Sequence, residues 1–195
     1  MSLYSVIKKL ISGFIRRFYK VEAIGVEKMP ESGPVLICPN HMSIADVIIL
    51  GVVFERPIRF MAKAELFKVP LVRHIVKALG AFPVDRQHGD VGAIKKAQGI
   101  LKNGEVLAMF PQGTRCKGVN PKDTKIKYGA AMIAGHTDAQ VLPVCLQTKD
   151  FTVKPFRKVT VRTADPIPPE QLKAAGGTYK EQAEFIFKKI TDMIE

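Results

Sequence analysis

Apolar residues fall into two helical stripes at the ends of the chain and a series of short, dense runs between them. Leu3, Val6, Ile7, Leu10, Ile11, Phe14, Ile15 and Phe18 recur at helical spacing and predict an amphipathic helix over residues 1–20. Ala183, Ile186, Phe187, Ile190, Met193 and Ile194 repeat the pattern at the other end, as a helix packed on a core would. The runs 21–26, 35–38, 58–62, 81–84, 106–110, 141–146 and 159–162 are short and apolar and read as strands. Residues 46–53, 70–79 and 128–134 read as helices. So does a stretch after Asp90 that carries Ile94, Ala97 and Leu101 on one face and closes at Asn103-Gly104. Pro143 interrupts the run 141–146 and predicts an edge strand or a special backbone position. Strands alternating with helices predict a single α/β domain with a central sheet, its functional residues on loops at strand ends.

Composition narrows the partner more than the fold. With 195 residues, 47% apolar and 25% charged, the chain has the makeup of one globular domain with its own core. The formal net charge of +12 is unusual and calls for an anionic partner. No tryptophan, no aromatic-rich basic patch and no helix-turn-helix or zinc-finger spacing is present, which argues against nucleic acid. An anionic membrane or a phosphorylated small molecule remains. Lys8, Lys9, Arg16, Arg17 and Lys20 accompany the N-terminal stripe, and no acid precedes Glu22. The helix of 1–20 is therefore expected to lie in a membrane interface, the plainer alternative being a helix packed on the domain. No stretch reaches the ~20 apolar residues needed to span a bilayer. Cys38, Cys116 and Cys145 are odd in number and widely spaced, with no C-x-x-C pattern and no secretory signal, so a reducing, cytosolic setting is expected.

Candidate chemistry concentrates in Asn40-His41-Met42-Ser43-Ile44-Ala45-Asp46, just after the run 35–38. Imidazole suits proton transfer near neutral pH, and a buried carboxylate can fix its tautomer and stabilise its charge. On one helix, residues five apart point about 140° away from each other. His41 and Asp46 therefore meet only if His41 precedes a helix and Asp46 lies in its first turn. Ser43 is a natural N-cap and Ser43 to Asp46 has capping-box spacing, so the plainer reading is that Asp46 only caps. Three more segments stand at strand ends. Phe82-Pro83-Val84 ends in Asp85-Arg86. Phe110-Pro111-Gln112-Gly113-Thr114-Arg115 offers close backbone approach at Gly113, a hydroxyl at Thr114 and a phosphate-binding fork at Arg115. Lys117, Lys122, Lys125 and Lys127 follow it. The fourth is Val141-Leu142-Pro143-Val144. Singly, each reads more readily as an ordinary strand exit or a solvated loop.

Together and in this order, the four segments resemble the four motifs of the glycerolipid acyltransferase superfamily, most closely its lysophosphatidic acid acyltransferases. Asn40-His41 through Asp46 resembles N-H-x4-D, Phe82 to Arg86 the second motif, Phe110 to Arg115 the F-P-E-G-T-R motif, and 141–144 the fourth. Gly25-Val26-Glu27, Gly33-Pro34 and Lys63-Ala64-Glu65-Leu66 resemble the connecting stretches, so the resemblance runs from about residue 20 to about residue 165. Two positions depart from the pattern: Gln112 stands where the family usually has Glu, and Cys116 where Ser is common. Gln112 keeps the hydrogen-bonding reach without the charge and is expected to tune phosphate binding or acceptor choice.

The resemblance implies an acyltransferase domain over 21–195, a single α/β domain with a central mixed β-sheet flanked by helices. The implied reaction moves a fatty acyl group from a thioester to the sn-2 hydroxyl of lysophosphatidic acid, giving phosphatidic acid in phospholipid biosynthesis. His41 would be the general base and Asp46 its orienting carboxylate. Arg86, Arg115 and Lys63, with Gln112, Gly113 and Thr114, would bind the phosphate and acceptor, and backbone donors near Gly113 and Thr114 would serve the oxyanion. No metal or other cofactor is implied; the co-substrate is an acyl carrier protein or coenzyme A thioester. The implied partners are that donor, lysophosphatidate and an anionic membrane surface, with the protein held peripherally on the cytoplasmic face of the cell membrane. Rival readings are an acyl-cysteine route through Cys116, whose basic surroundings would lower a thiol pKa, a different acceptor such as glycerol-3-phosphate or another lysophospholipid, and a non-catalytic lipid binder.

Overall fold

A computed structural model of the chain describes residues 12–78, 80–84 and 91–195. The expectations for 1–11 and for Asp85, Arg86 and Asp90 lie outside the described residues. Seven strands form one sheet in the order β1-β7-β6-β2-β5-β3-β4. They are β1 (Val21–Ile24), β2 (Val35–Pro39), β3 (Ile58–Lys63), β4 (Ala81–Val84), β5 (Val106–Ala108), β6 (Gln140–Gln147) and β7 (Val159–Thr163), each within two residues of a predicted run. The sheet is mixed. β6, β2, β5, β3 and β4 are parallel, β7 is antiparallel to β6, and β1 runs parallel to β7.

Residues 12–18 form the described part of the N-terminal helix, α1. It is followed by α2 (Ala45–Val53), α3 (Pro70–Ala78), α4 (Val91–Lys102), α5 (Gly129–Gly135), α6 (Pro169–Ala174) and α7 (Tyr179–Thr191). Thr178 and Glu181 start α7 with a capping box. The short α6 buries only Leu172 and shows no apolar stripe in the sequence. Because the central strands are covered on both faces, they read as continuous apolar runs rather than alternating ones. Leu36, Cys38, Leu107, Val141 and Cys145 share a core with residues of α4, α5 and α7. Their neighbours Ile37, Val106, Ala108, Leu142, Val144 and Leu146 share the opposite core with α2 and with Ile15 of α1.

Pro143 does not mark an edge, since β6 lies between β7 and β2. Its carbonyl accepts from the Ala164 amide at 3.1 Å, just past the end of β7. A residue's N–H and C=O point to the same side of a strand, so the missing donor faces the place where the β7 ladder has run out.

The parallel strands all end at one edge of the sheet. From that edge β2 leads into α2 on one face and β5 leads into α5 on the other, although the two strands are neighbours. In an open α/β sheet such a divergence opens a crevice where ligands bind.

Candidate active site

β2 delivers His41 to this edge of the sheet, and the preceding residue anchors the exit. Asn40 is fully buried; its Nδ2 donates to the Leu146 carbonyl at 2.9 Å and its Oδ1 accepts from the Leu146 amide at 2.7 Å. The end of β2 is thereby clamped to β6. α2 begins only at Ala45, so His41 precedes the helix and Asp46 lies in its first turn, as the spacing requires. His41 Nδ1 and Asp46 Oδ2 are 2.8 Å apart.

Asp46 is fully buried, and its Oδ2 also accepts from the amides of Met42 at 2.6 Å and Ser43 at 2.8 Å. Three donors converging on one oxygen, at the start of a helix, suit a carboxylate. The capping box is only half formed. The Ser43 hydroxyl accepts from the Ala45 amide at 3.2 Å, while the Asp46 amide donates to the Ser43 carbonyl at 3.2 Å. Asp46 thus shapes the turn and holds the imidazole with the same atom. His41 is 8% exposed, and its ring stacks on Phe110 with centroids 3.7 Å apart. With Nδ1 held by Asp46, Nε2 is the nitrogen left for a substrate.

Gln112 is buried behind His41. Its Oε1 accepts from the His41 amide at 2.6 Å, and its Nε2 donates to Thr124 Oγ1 at 2.7 Å. That hydroxyl in turn donates to the Pro121 carbonyl at 2.7 Å. Both polar ends of Gln112 are thus engaged inside the protein, which places it as a support for His41 rather than among phosphate ligands. On the other side, the Cys116 amide donates to the His41 carbonyl at 2.8 Å. The loop after β5 grips the His41 main chain from both directions, and its own ends are tied where the Lys127 amide donates to the Pro111 carbonyl at 2.8 Å.

Gly113 has φ +67°, and a Cβ there would lie 2.9 Å from Lys127 Cδ, so glycine lets the lysine stem cross the loop. The Gly113 amide donates to the Phe110 carbonyl at 3.0 Å, so it is not a spare oxyanion donor. Thr114 and Arg115 are exposed on the rim. Lys63 is exposed at the end of β3, which the strand order places two strands from β2, on the order of 10 Å away. Arg86 follows the last residue of β4 by two positions and lies outside the described residues. Burial pushes the Cys116 thiol up, not down as its basic neighbours suggested, because the lysines of the loop are exposed while the thiol is partly desolvated. Among the described residues, no group of three or more His, Cys, Asp or Glu is placed to hold a metal ion.

A family model described as "Acyltransferase" matches residues 20–147. The chain belongs to the acyltransferase family. The 1-acyl-sn-glycerol-3-phosphate acyltransferase of Bacillus subtilis is 36% identical over 140 residues, which cover 71% of this chain and 68% of that protein. The Helicobacter pylori protein of the same name is 32% identical over 152 residues, covering 75% of this chain and 64% of that one. The aligned part thus spans about two thirds of the length of these curated relatives. The crystal structure of the 1-acyl-sn-glycerophosphate acyltransferase of Thermotoga maritima shares the fold with a TM-score of 0.74 at 25% identity, over 97% of this chain and 78% of that chain. In the acyltransferase match fall His41, Asp46, Gln112, Gly113, Thr114 and Arg115, and also Asn40, Phe110 and Thr124, which sequence reasoning had not assigned. Asn40 stood beside His41 in the motif as a signal; for Thr124 the sequence held none.

Proposed function

We propose that this acyltransferase moves a fatty acyl group from a thioester onto the sn-2 hydroxyl of lysophosphatidic acid, forming phosphatidic acid. The observation that carries the reading is the 2.8 Å His41–Asp46 pair at the ligand-binding edge of the sheet. Relatives that bear the name of that activity support the choice of acceptor.

In the reaction His41 Nε2 takes the proton of the sn-2 hydroxyl as its oxygen attacks the thioester carbonyl carbon. Asp46 holds the ring by Nδ1–H and stabilises the imidazolium that forms. The tetrahedral intermediate then collapses with cleavage of the C–S bond, and the imidazolium returns the proton to the departing thiolate. Atoms and charge balance without a redox cofactor or a resident metal, and the thioester comes from acyl carrier protein or coenzyme A. Arg115 on the rim and Lys63 at the end of β3, with Arg86 of the second motif, receive the phosphate. The net charge of +12 supports work at an anionic membrane surface, on its cytoplasmic face. Among the described residues no helix is long and apolar enough to cross a membrane.

The acceptor is tested by offering lysophosphatidate, glycerol-3-phosphate and lysophosphatidylcholine in parallel with each thioester. Preference for lysophosphatidate, weakened chiefly in KM by Arg115→Ala, is expected. Equal use of a lysolipid without a terminal phosphate would overturn the assignment.

A further inference from the structure

The described non-glycine residues with left-handed backbone gather in one place. Lys20 (φ +41°) joins α1 to β1, while Phe151 (φ +50°) and Phe156 (φ +60°) lie in the β6–β7 loop. Glycine is the unstrained choice at such positions, and strain of this kind clusters where function requires it. Phe151 packs against a core. Phe156 does not: it is 65% exposed, so burial in the fold does not offset the strain.

The β6–β7 loop is tied to α1. The Phe156 amide donates to the Phe18 carbonyl at 2.7 Å, and the two rings lie 4.9 Å apart. Phe18 stacks on Phe14 at 5.5 Å, and Phe14 is also 65% exposed. Arg17, Lys20 and Phe156 line a shared cavity of about 490 Å³. Lys154, Arg157 and Lys158 are exposed alongside. Asp150 and Glu22 pair with Lys154 and Lys158 at 2.5 and 2.8 Å, so among the described residues this region keeps a positive excess, to which Arg17, Lys20, Lys149 and Arg157 contribute. The strand register puts this cluster on the His41 edge of the sheet, because β7 and β1 begin where β2 and β6 end. Two to three strand spacings separate them, roughly 10–15 Å.

We propose that the β6–β7 loop is a second membrane-contacting element, in which Phe156 enters an anionic bilayer beside Phe14 of α1 while Arg17, Lys20 and Arg157 meet the headgroups. Exposed rings ringed by cations match an interface that is apolar below and anionic above. An acidic protein would use the cations and leave the rings in water. The inference rests on the acyltransferase reading in that the acceptor is a lipid, and it places the bilayer against the edge that carries His41.

The chain contains no tryptophan, so Phe156→Trp is a sole reporter. With phosphatidylglycerol vesicles its emission shifts to the blue and is quenched by brominated acyl chains, more than with phosphatidylcholine vesicles. Tyr179→Trp, at the start of α7, does not respond. Phe156→Gly suits the left-handed backbone while removing the ring, so it keeps the wild-type melting temperature or better and loses roughly tenfold in vesicle partitioning. An unresponsive Phe156→Trp in protein that sediments with vesicles overturns the proposal, as does wild-type partitioning by Phe156→Gly. A response to acidic acyl carrier protein alone overturns it too, by assigning the patch to a protein. Phosphatidate formation in detergent is read separately, so loss of insertion in an active enzyme counts against this loop alone.

Discussion

The main-chain amide of His41 donates to the side-chain oxygen of Gln112 at 2.6 Å, and the Gln112 amide passes the chain on to Thr124 and the Pro121 carbonyl. The direction of this chain matters. Thr124 gives its proton to Pro121 and can only accept from residue 112, so an amide fits there as it stands. A carboxylate would keep the acceptor for His41, but the Thr124 hydroxyl would have to turn to meet its second oxygen. The imidazole is therefore held by Asp46 through its ring and by the 112–116 loop through its main chain.

Gln112→Leu leaves the buried His41 amide unpaired, a loss of about 1–3 kcal/mol that falls on the position of the imidazole. Turnover is expected to drop about tenfold or more with KM for lysophosphatidate little changed, while Gln112→Glu stays within a few-fold of wild type. Steady-state kinetics decide. A raised KM with unchanged kcat would place Gln112 on the substrate.

Asp46→Asn keeps the size of the side chain but removes the charge that fixes the His41 tautomer. A loss in kcat on the order of 10²–10⁴-fold is expected, with circular dichroism unchanged. Asp46→Ala additionally orphans the Met42 and Ser43 amides, so its melting temperature falls where that of Asp46→Asn holds.

Much of this was legible in the sequence, for local reasons. The central strands β2, β5 and β6, buried on both faces, give unbroken apolar runs, and the shorter outer strands stand between clear turn signals, so all seven lie near their predicted places. The five-residue spacing of His41 and Asp46 forced one residue outside the helix and one inside. What escaped depends on partners distant in sequence. Whether a proline breaks a ladder is decided by the strand its missing donor faces, and for Pro143 that is the end of β7. The residue type at 112 gives reach but not direction, so Gln112 read as a phosphate ligand when it turns inward to His41 and Thr124. The Cys116 thiol looked activated because sequence shows nearby lysines and not that they point into water.

Asn40→Ala should act on stability. It strips partners from both the N–H and the C=O of Leu146 inside the sheet, about 2–4 kcal/mol in all. A drop in melting temperature on the order of 5–15 °C follows for a chain of this size. A drop of under a degree would show that the clamp does not hold the β2 exit.

Cys116→Ser keeps the amide that binds the His41 carbonyl and should retain acyl transfer. Because burial raises the thiol's pKa, its thiolate is scarcer at neutral pH than that of a free cysteine and grows as pH rises. Iodoacetamide should therefore modify Cys116 more slowly than a model thiol at pH 7, with the rate climbing into the alkaline range. Trapping of an acyl-cysteine during turnover would contradict this.

The most direct test of the central claim is acyl transfer to lysophosphatidate by purified wild type and His41→Ala, each given acyl carrier protein and coenzyme A thioesters. Phosphatidate formed by the wild type with at least one donor, and reduced by several orders of magnitude in a folded His41→Ala, is the predicted result. Comparable turnover by the two proteins would contradict the assignment of His41 as the base.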